Sequence, residues 1–311
     1  MGVPVIRHRM AVVTVALALD AALGEPPNRW HPVAWFGRGA GAFERSAPHE
    51  SPVGARISGI VLLGGALAGA VVAARAGQRV ANRLPRPVSI VAEALLLKQA
   101  FAFRALRDHA SAVGLPLEEG DVGLARNAVS QMVSRDVSEL DEEHIASAAI
   151  ESVAENLSDS VVAPIGWYLL GGQAAAYAYR VTNTLDAMVG YRAKGWFGTP
   201  SARLDDAMNL VPSRLTALLV AASSLAPTRS LRGTFEDYGR TPSPNSGWPM
   251  AAMAHGLGVR LEKTSHHLLN GGGQPPSAQD IGRANRVASG AIALGIAVAW
   301  LAALGGSRWR R

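Results

Sequence analysis

An all-α, multi-pass integral membrane protein is the fold class this sequence predicts, on three observations. Only 17% of the 311 residues are charged, where a soluble domain carries roughly 25%. Hydrophobic residues make up 49%, and mean hydropathy is +0.14. The apolar residues are gathered into long uncharged runs rich in Gly and Ala, as membrane helices are where they approach closely. This composition excludes a disordered chain. Zero Cys excludes a disulfide scaffold and a cysteine-ligated metal site. Of the 30 basic residues only Lys98, Lys194 and Lys263 are lysine, and the formal net charge is +6. No basic cluster is interleaved with aromatics, so nucleic acid is not an expected partner.

The runs define five candidate membrane segments in one domain, residues 1–311. Segment 10–24 is apolar except for Asp20 and follows Arg7 and Arg9. A signal peptide is not expected there, because no A-x-A pattern follows and Asp20 interrupts the run. Segments 57–74, 160–179 and 287–307 are free of charge, and segment 215–228 is shorter. At about 1.5 Å per residue, a span of a roughly 30 Å core needs about 20 residues. Segment 215–228 is therefore tilted, re-entrant or extended upstream past Arg214. Segment 160–179 crosses once or is broken, with Pro164 or Gly171-Gly172 as the place to break. A soluble bundle of buried Ala/Gly helices is the alternative reading.

Between the segments lie polar loops. An amphipathic helix is predicted near 92–113, with Leu95, Leu96, Phe103, Leu106, Ala110 and Val113 on one face.

Four polar sets can carry chemistry. Ser138 with Asp141 resembles the N-terminal cap of a helix. On that helix Glu151, Glu155 and Asp159 stack at i, i+4 and i+8, with Asn156 and His144 on the same side. Each like-charge pair costs a few tenths of a kcal/mol, so a cation is expected, and Mg²⁺ takes one or two carboxylates plus substrate phosphate. The second set is Asn183, Asp186, Tyr191 and Arg192, followed by a helix predicted to start at Pro200 under a Thr199 cap. That helix brings Arg203 near Asp206 and Asp205 near Asn209. The third is Asn245, Ser246 and Gly247 before Pro249, where free N–H groups of a helix start at Pro249 can bind phosphate. The fourth is Asp20 with Glu25 and His31, the histidine being a proton carrier, a ligand or simply packed. No Walker loop, dinucleotide fingerprint, zincin or serine-hydrolase elbow is present.

These blocks resemble a known family. Leu19-Asp20…Gly24-Glu25-Pro26…His31-Pro32, Ser134-Arg135-Asp136 and Glu151-Ser-Val-Ala-Glu-Asn-Leu-Ser-Asp159 stand in the order found in the adenosylcobinamide-phosphate synthase family (CobD/CbiB). So do Tyr179-Arg180-(x)2-Asn183-Thr-Leu-Asp186, Ala202-Arg203-Leu-Asp-Asp206 and Ser243-Pro-Asn-Ser-Gly-Trp-Pro-Met250. The resemblance covers residues from about 17 to 270. It implies a multi-pass protein of the cell (inner or plasma) membrane. The implied reaction joins aminopropanol, or its O-phosphate, to a carboxyl of adenosylcobyric acid with ATP and Mg²⁺. The lipid bilayer and other membrane enzymes of the pathway are the implied partners. A non-catalytic regulatory or scaffold relative of the same fold is the alternative. The resemblance supplies positions; roles come from residue chemistry. Glu151, Glu155, Asp186 and His31 are the catalytic candidates. Asn156, Asn183, Arg192, Arg203, Asn245, Ser246 and Gly247 are candidates for substrate and phosphate. Glu151, Glu155, Asp159, Asp205 and Asp206 are candidates for metal.

Overall fold

The computed structural model describes residues 3–48, 51–190 and 195–305. They are mostly helical, as the composition predicts. The chain, expected as one domain, divides into two compact units that are each discontinuous in sequence.

The first unit takes residues 1–102, 163–209 and 300–311. It contains α1 (Val3–Leu23), α2 (Pro32–Ser46), α3 (Pro52–Ala81), α4 (Arg86–Lys98), α8 (Ala163–Gly171), α9 (Gln173–Val189) and the start of α10 (Gly195–Ser223). Helix α1 packs on α4, and α3 and α8 both pack on α9. Ala55, Val189 and Phe197 form a buried knot inside this unit. A Cβ on Gly59 would collide with the Phe197 carbonyl, so only glycine permits that approach.

The second unit takes residues 103–162 and 210–299. It holds α5 (Phe103–Glu118), α6 (Val122–Val129), α7 (Glu142–Leu157), α11 (Pro227–Asp237), α12 (Gly247–Leu257) and most of α13 (Ala278–Gly305). Strands β1 (Leu261–Lys263) and β2 (His267–Leu269) pair antiparallel, with Lys263 opposite His267. Helix α7 is packed by α5, α6, α12 and β1, and Ile145, Ile150, Val153 and Leu157 are fully buried in it.

Several expected elements differ. The helix near 92–113 is two helices, α4 and α5, separated at residues 99–102. No Gly or Pro marks that break. The end of α4 tightens instead into i to i−3 turns, Gln99 N–H to Leu96, Ala100 N–H to Leu97 and Phe101 N–H to Lys98. Asp141, rather than Ser138, caps α7, accepting from the His144 N–H at 2.9 Å. The helix expected at Pro200 begins at Gly195, and the Thr199 hydroxyl donates back to the Gly195 carbonyl. Helix α12 begins at Gly247 rather than Pro249, which leaves Pro249 in the first turn, where its missing N–H costs nothing.

Of the five expected membrane segments, 57–74 falls in α3 and most of 287–307 in α13. These are the two helices among the described residues long and apolar enough to cross a membrane. Ile57, Ile60 and Val72 of α3 and Val298 and Leu301 of α13 are exposed, an apolar surface of the kind that meets lipid. Segment 10–24 lies in α1. Segment 215–228 joins α10, which continues upstream past Arg214 and ends at Ser223. Segment 160–179 is not one helix. A π-turn at Ser158–Val162 precedes α8, and the chain then breaks at Gly172, whose φ of 72° is left-handed. A side chain would be strained in that conformation.

Candidate functional site

In the first unit, α9 and α10 assemble a polar relay. Tyr179 and Asn183 are four apart on α9, and Asp205 and Asn209 are four apart on α10, so each pair shares a helix face. The Tyr179 hydroxyl donates to Asn209 Oδ1 at 2.9 Å. The Asn209 amide donates to Asp205 Oδ2 at 2.9 Å, and the Asn183 amide donates to Asp205 Oδ1 at 3.3 Å. Asp205 is 8% exposed. Burial pushes its carboxyl up to about 6, helped by neighbouring Asp206 and opposed by the two amides. Burial raises Asp206 as well, against the pull of Arg203. Arg203 itself is exposed, while Asp186 is half-buried one turn beyond Asn183. A Cβ on Gly190 would run into the Asp186 carboxylate. Arg192, together with Tyr191, lies outside the described residues.

The same unit holds a second cluster. The buried Lys98 ammonium lies 2.8 Å from Glu25 and 3.6 Å from Asp20. Burial pushes the Glu25 carboxyl up, but the bonds from His31 and Lys98 outweigh it and hold Glu25 below the usual range. The Val33 N–H donates to His31 Nδ1 at 3.2 Å, which caps α2. That nitrogen therefore carries no proton, and Nε2 holds the one directed at Glu25, 2.8 Å away. Both ring nitrogens of His31 are engaged, in the neutral tautomer.

In the second unit, the acidic stripe of α7 is partly compensated by protein cations. Glu151, 7% exposed, lies 2.9 Å from His267 Nε2 and 3.7 Å from Arg135. Two further residues at helical spacing reach the same strand pair. Glu143 takes a fork from Arg260 at 2.7 and 3.0 Å. Ser147 accepts from the Glu262 N–H at 2.7 Å and donates to its carbonyl at 3.2 Å. Residues 143, 147 and 151 thus dock the β-hairpin. Glu155 is exposed and Asp159 half-buried. The π-turn that begins after Leu157 inserts an extra residue per turn, so Asp159 no longer follows Glu155 at ideal α-helical spacing. The Asn156 amide donates to the Ser152 carbonyl at 3.0 Å and accepts from Ser160 at 3.2 Å.

The loop before α12 is also internally bonded. The N–H groups of Asn245 and Ser246 both donate to Ser243 Oγ at 3.2 Å. The Asn245 side-chain oxygen Oδ1 accepts from Arg214 at 3.0 Å. Arg214 lies over the Trp248 ring at 4.7 Å, and Trp248 stacks on Tyr238 at 4.3 Å. At Gly247 a Cβ would collide with the Tyr238 carbonyl, so the turn needs glycine.

Among the described residues, no three His, Asp or Glu side chains gather as a metal-binding group. Sequence reasoning missed Lys98 and His267. Lys98 had a signal, a single lysine in an otherwise apolar stretch. His267 had none, being 116 residues from its partner Glu151.

The family model described as CobD/Cbib protein matches residues 13–289. A probable cobalamin biosynthesis protein CobD of Methanothermobacter thermautotrophicus is 42% identical over 273 residues, covering 84% of this chain and 86% of its own. The like-named protein of Thermococcus kodakarensis is 41% identical, covering 90% and 91%. The cobalamin biosynthesis protein CobD of Chromobacterium violaceum is 41% identical over 306 residues, covering 93% and 95%. No solved structure matches.

Proposed function

The chain belongs to the CobD/CbiB family and so has a role in cobalamin biosynthesis; within that role we propose that it forms the amide joining aminopropanol, or its O-phosphate, to adenosylcobyric acid. The observation that supports this most is Asp205, a buried carboxylate held by two neutral amides beside a second acid, Asp206. A carboxylate so placed is poised for a cationic group, either the substrate ammonium or the Mg²⁺ that accompanies ATP.

The chemistry balances as an ATP-driven ligation. A carboxylate oxygen of the corrinoid attacks the γ-phosphorus and ADP leaves. The amine nitrogen then attacks the acyl carbon, inorganic phosphate leaves, and the ammonium proton passes to a protein base. Asp205 and Asp206 would offer hard oxygen donors of the kind Mg²⁺ takes. When bound, the ion neutralises phosphate charge. Arg203 steadies the transferred phosphoryl group, and Asn183 fixes the Asp205 carboxylate. Asp186, half-buried at the end of α9, is the group we assign to proton transfer. Glu151 serves instead to position the hairpin that carries His267. We place the protein as a multi-pass protein of the cell membrane, on α3 and α13 as its two apolar helices.

The test is direct. Detergent-purified protein is incubated with adenosylcobyric acid, ATP and Mg²⁺, with aminopropanol and its O-phosphate in separate arms. Mass spectrometry should detect the amide, with one ADP and one phosphate per product. No product in either arm, with a control ligase active, would overturn the assignment.

A further inference from the structure

The break between α8 and α9 opens onto a second polar site in the first unit, separate from the carboxylate relay. A pocket of about 360 Å³ is lined by the start of α1, the end of α3, Glu93 of α4 and residues 171–174. Three features of it point to an anion.

The first is the N-terminus of α9. Gly172 is its N-cap and supplies no side-chain acceptor, so the first amides of a 17-residue helix meet the pocket with their positive dipole end. The second is Gln173, 4% exposed, whose side-chain nitrogen and oxygen are both buried without a hydrogen-bond partner. Tyr177, one turn on, directs its hydroxyl proton to the Leu96 carbonyl at 2.9 Å. A buried amide left unbonded is costly, and such a group calls for an explanation.

The third is charge. His8 pairs with Glu93 at 3.0 Å, and Glu93 also accepts from Ser89 at 3.2 Å. Glu93 is thus an acid on the pocket wall, engaged by His8 and Ser89, and the cations on the wall are Arg9 and Arg75. Arg9 is fixed by its bond to the Leu169 carbonyl at 2.8 Å. Its Nη2 would lie 3.3 Å from a Cβ at Gly172, which places the guanidinium over the break. Arg75 is the first charge after the apolar run 57–74 of α3, so the site stands at the end of a candidate span.

We propose that this pocket binds a phosphate group between Arg9, Arg75, the Gln173 amide and the first amides of α9. A tetrahedral anion with several acceptor oxygens matches that set of converging donors. It can come from a phospholipid headgroup at the membrane boundary or from a soluble phosphate. The site is independent of the amide-forming reaction proposed above.

Two probes distinguish the sources, each applied to the detergent-purified full chain. Inorganic phosphate is titrated calorimetrically, and retention of phosphatidylglycerol against phosphatidylcholine is measured from mixed micelles. At least one probe should bind, and Arg75→Gln and Gln173→Leu should each weaken it at least tenfold. Binding of phosphate alone identifies a soluble ligand, and selective retention of phosphatidylglycerol alone identifies a lipid. Gln173→Leu should also raise the melting temperature without ligand, since it removes the unbonded amide. Arg75 is exposed, so Arg75→Gln should keep the fold, as circular dichroism will report. If neither probe binds, or Arg75→Gln binds as wild type does, the proposal fails.

Discussion

Glu151 and Asp205 are both buried carboxylates in family motifs, and their surroundings are opposite. Glu151 meets a histidine at 2.9 Å and an arginine at 3.7 Å, and its helix uses the same stripe to hold a strand pair. Asp205 meets two neutral amides and another acid, and burial pushes it up to about 6. The first is a carboxylate whose charge the protein answers by itself. The second is one the protein leaves to something else. A residue held in a form that costs stability is a stronger sign of function than one whose interactions are complete. The comparison therefore moves the weight of the site from the α7 stripe to the α9–α10 relay.

The largest effect is expected where completeness is broken. Glu151→Ala leaves His267 and Arg135 without their acid and loosens β2 from α7. Removing one partner of a buried pair costs about 3 kcal/mol or more, and melting of the detergent-solubilised protein should fall accordingly. A melting point within a degree of wild type would show that the pair is not the clasp described.

The next effect has the opposite sign. The folded-state value of Asp205 is raised, so its contribution to stability is complete below the unfolded value near 3.8 and is lost as pH rises through about 6. Above that window the ionised carboxylate is a burden on the order of 2 kcal/mol. Asp205→Asn should therefore melt higher than wild type at pH 8 in EDTA and equally at pH 4. Amide formation should fall more than tenfold, equivalent to about 1.4 kcal/mol of barrier. A variant that is neither stabilised at pH 8 nor impaired would make the two carboxylates equivalent and remove the contrast.

A smaller effect sharpens the boundary between them. Glu155 is exposed, one turn beyond Glu151. Glu155→Gln should change stability by less than about 0.5 kcal/mol, as surface changes do, and a rate below a tenth of wild type would return α7 to the reaction. Full activity would confine α7 to a structural role.

What could be read in the sequence was mostly local. The i, i+4 spacing of Asp205 and Asn209 was legible because a helix brings such residues together whatever else the fold does. The break at Gly172 was legible because two adjacent glycines interrupt the run at its centre. The break after Lys98 was not. Residues 99–102 contain no helix breaker, and α4 ends there in tight i to i−3 turns that no residue type announces. The partners of Glu151 were hidden as well. A helical wheel shows the residues of one helix, and Arg135 and His267 arrive from a loop and a strand. Reading α7 alone left three acids without a counter-charge and suggested an ion, where the fold supplies a histidine and an arginine to the first.

The last and mildest perturbation tests the membrane placement proposed above, by asking on which side two positions lie. A straight crossing by 160–179 would put Glu151–Asp159 and Asn183–Asp206 on opposite faces. One of the two blocks would then lie on the face away from the reaction proposed above. Physically, the broken form has what it needs. Gly172 turns the chain in a left-handed conformation, and α8 and α9 pack against each other beyond it. Irregular backbone at membrane depth is tolerated when it is enclosed by protein, and Arg9 bonds the Leu169 carbonyl at the end of α8. The basic residues Arg135, Arg180, Arg203 and Arg214 flank both blocks, as expected for one cytoplasmic face. Because the chain has no Cys, single cysteines can be read without background. Ser160 is half-buried and Ala187 exposed, so Ser160→Cys and Ala187→Cys offer reactive thiols on either side of the break. Both should react with an impermeant maleimide from the cytoplasmic face alone. Labelling from opposite faces would overturn the re-entrant arrangement and confine the proposed reaction to the α9–α10 block.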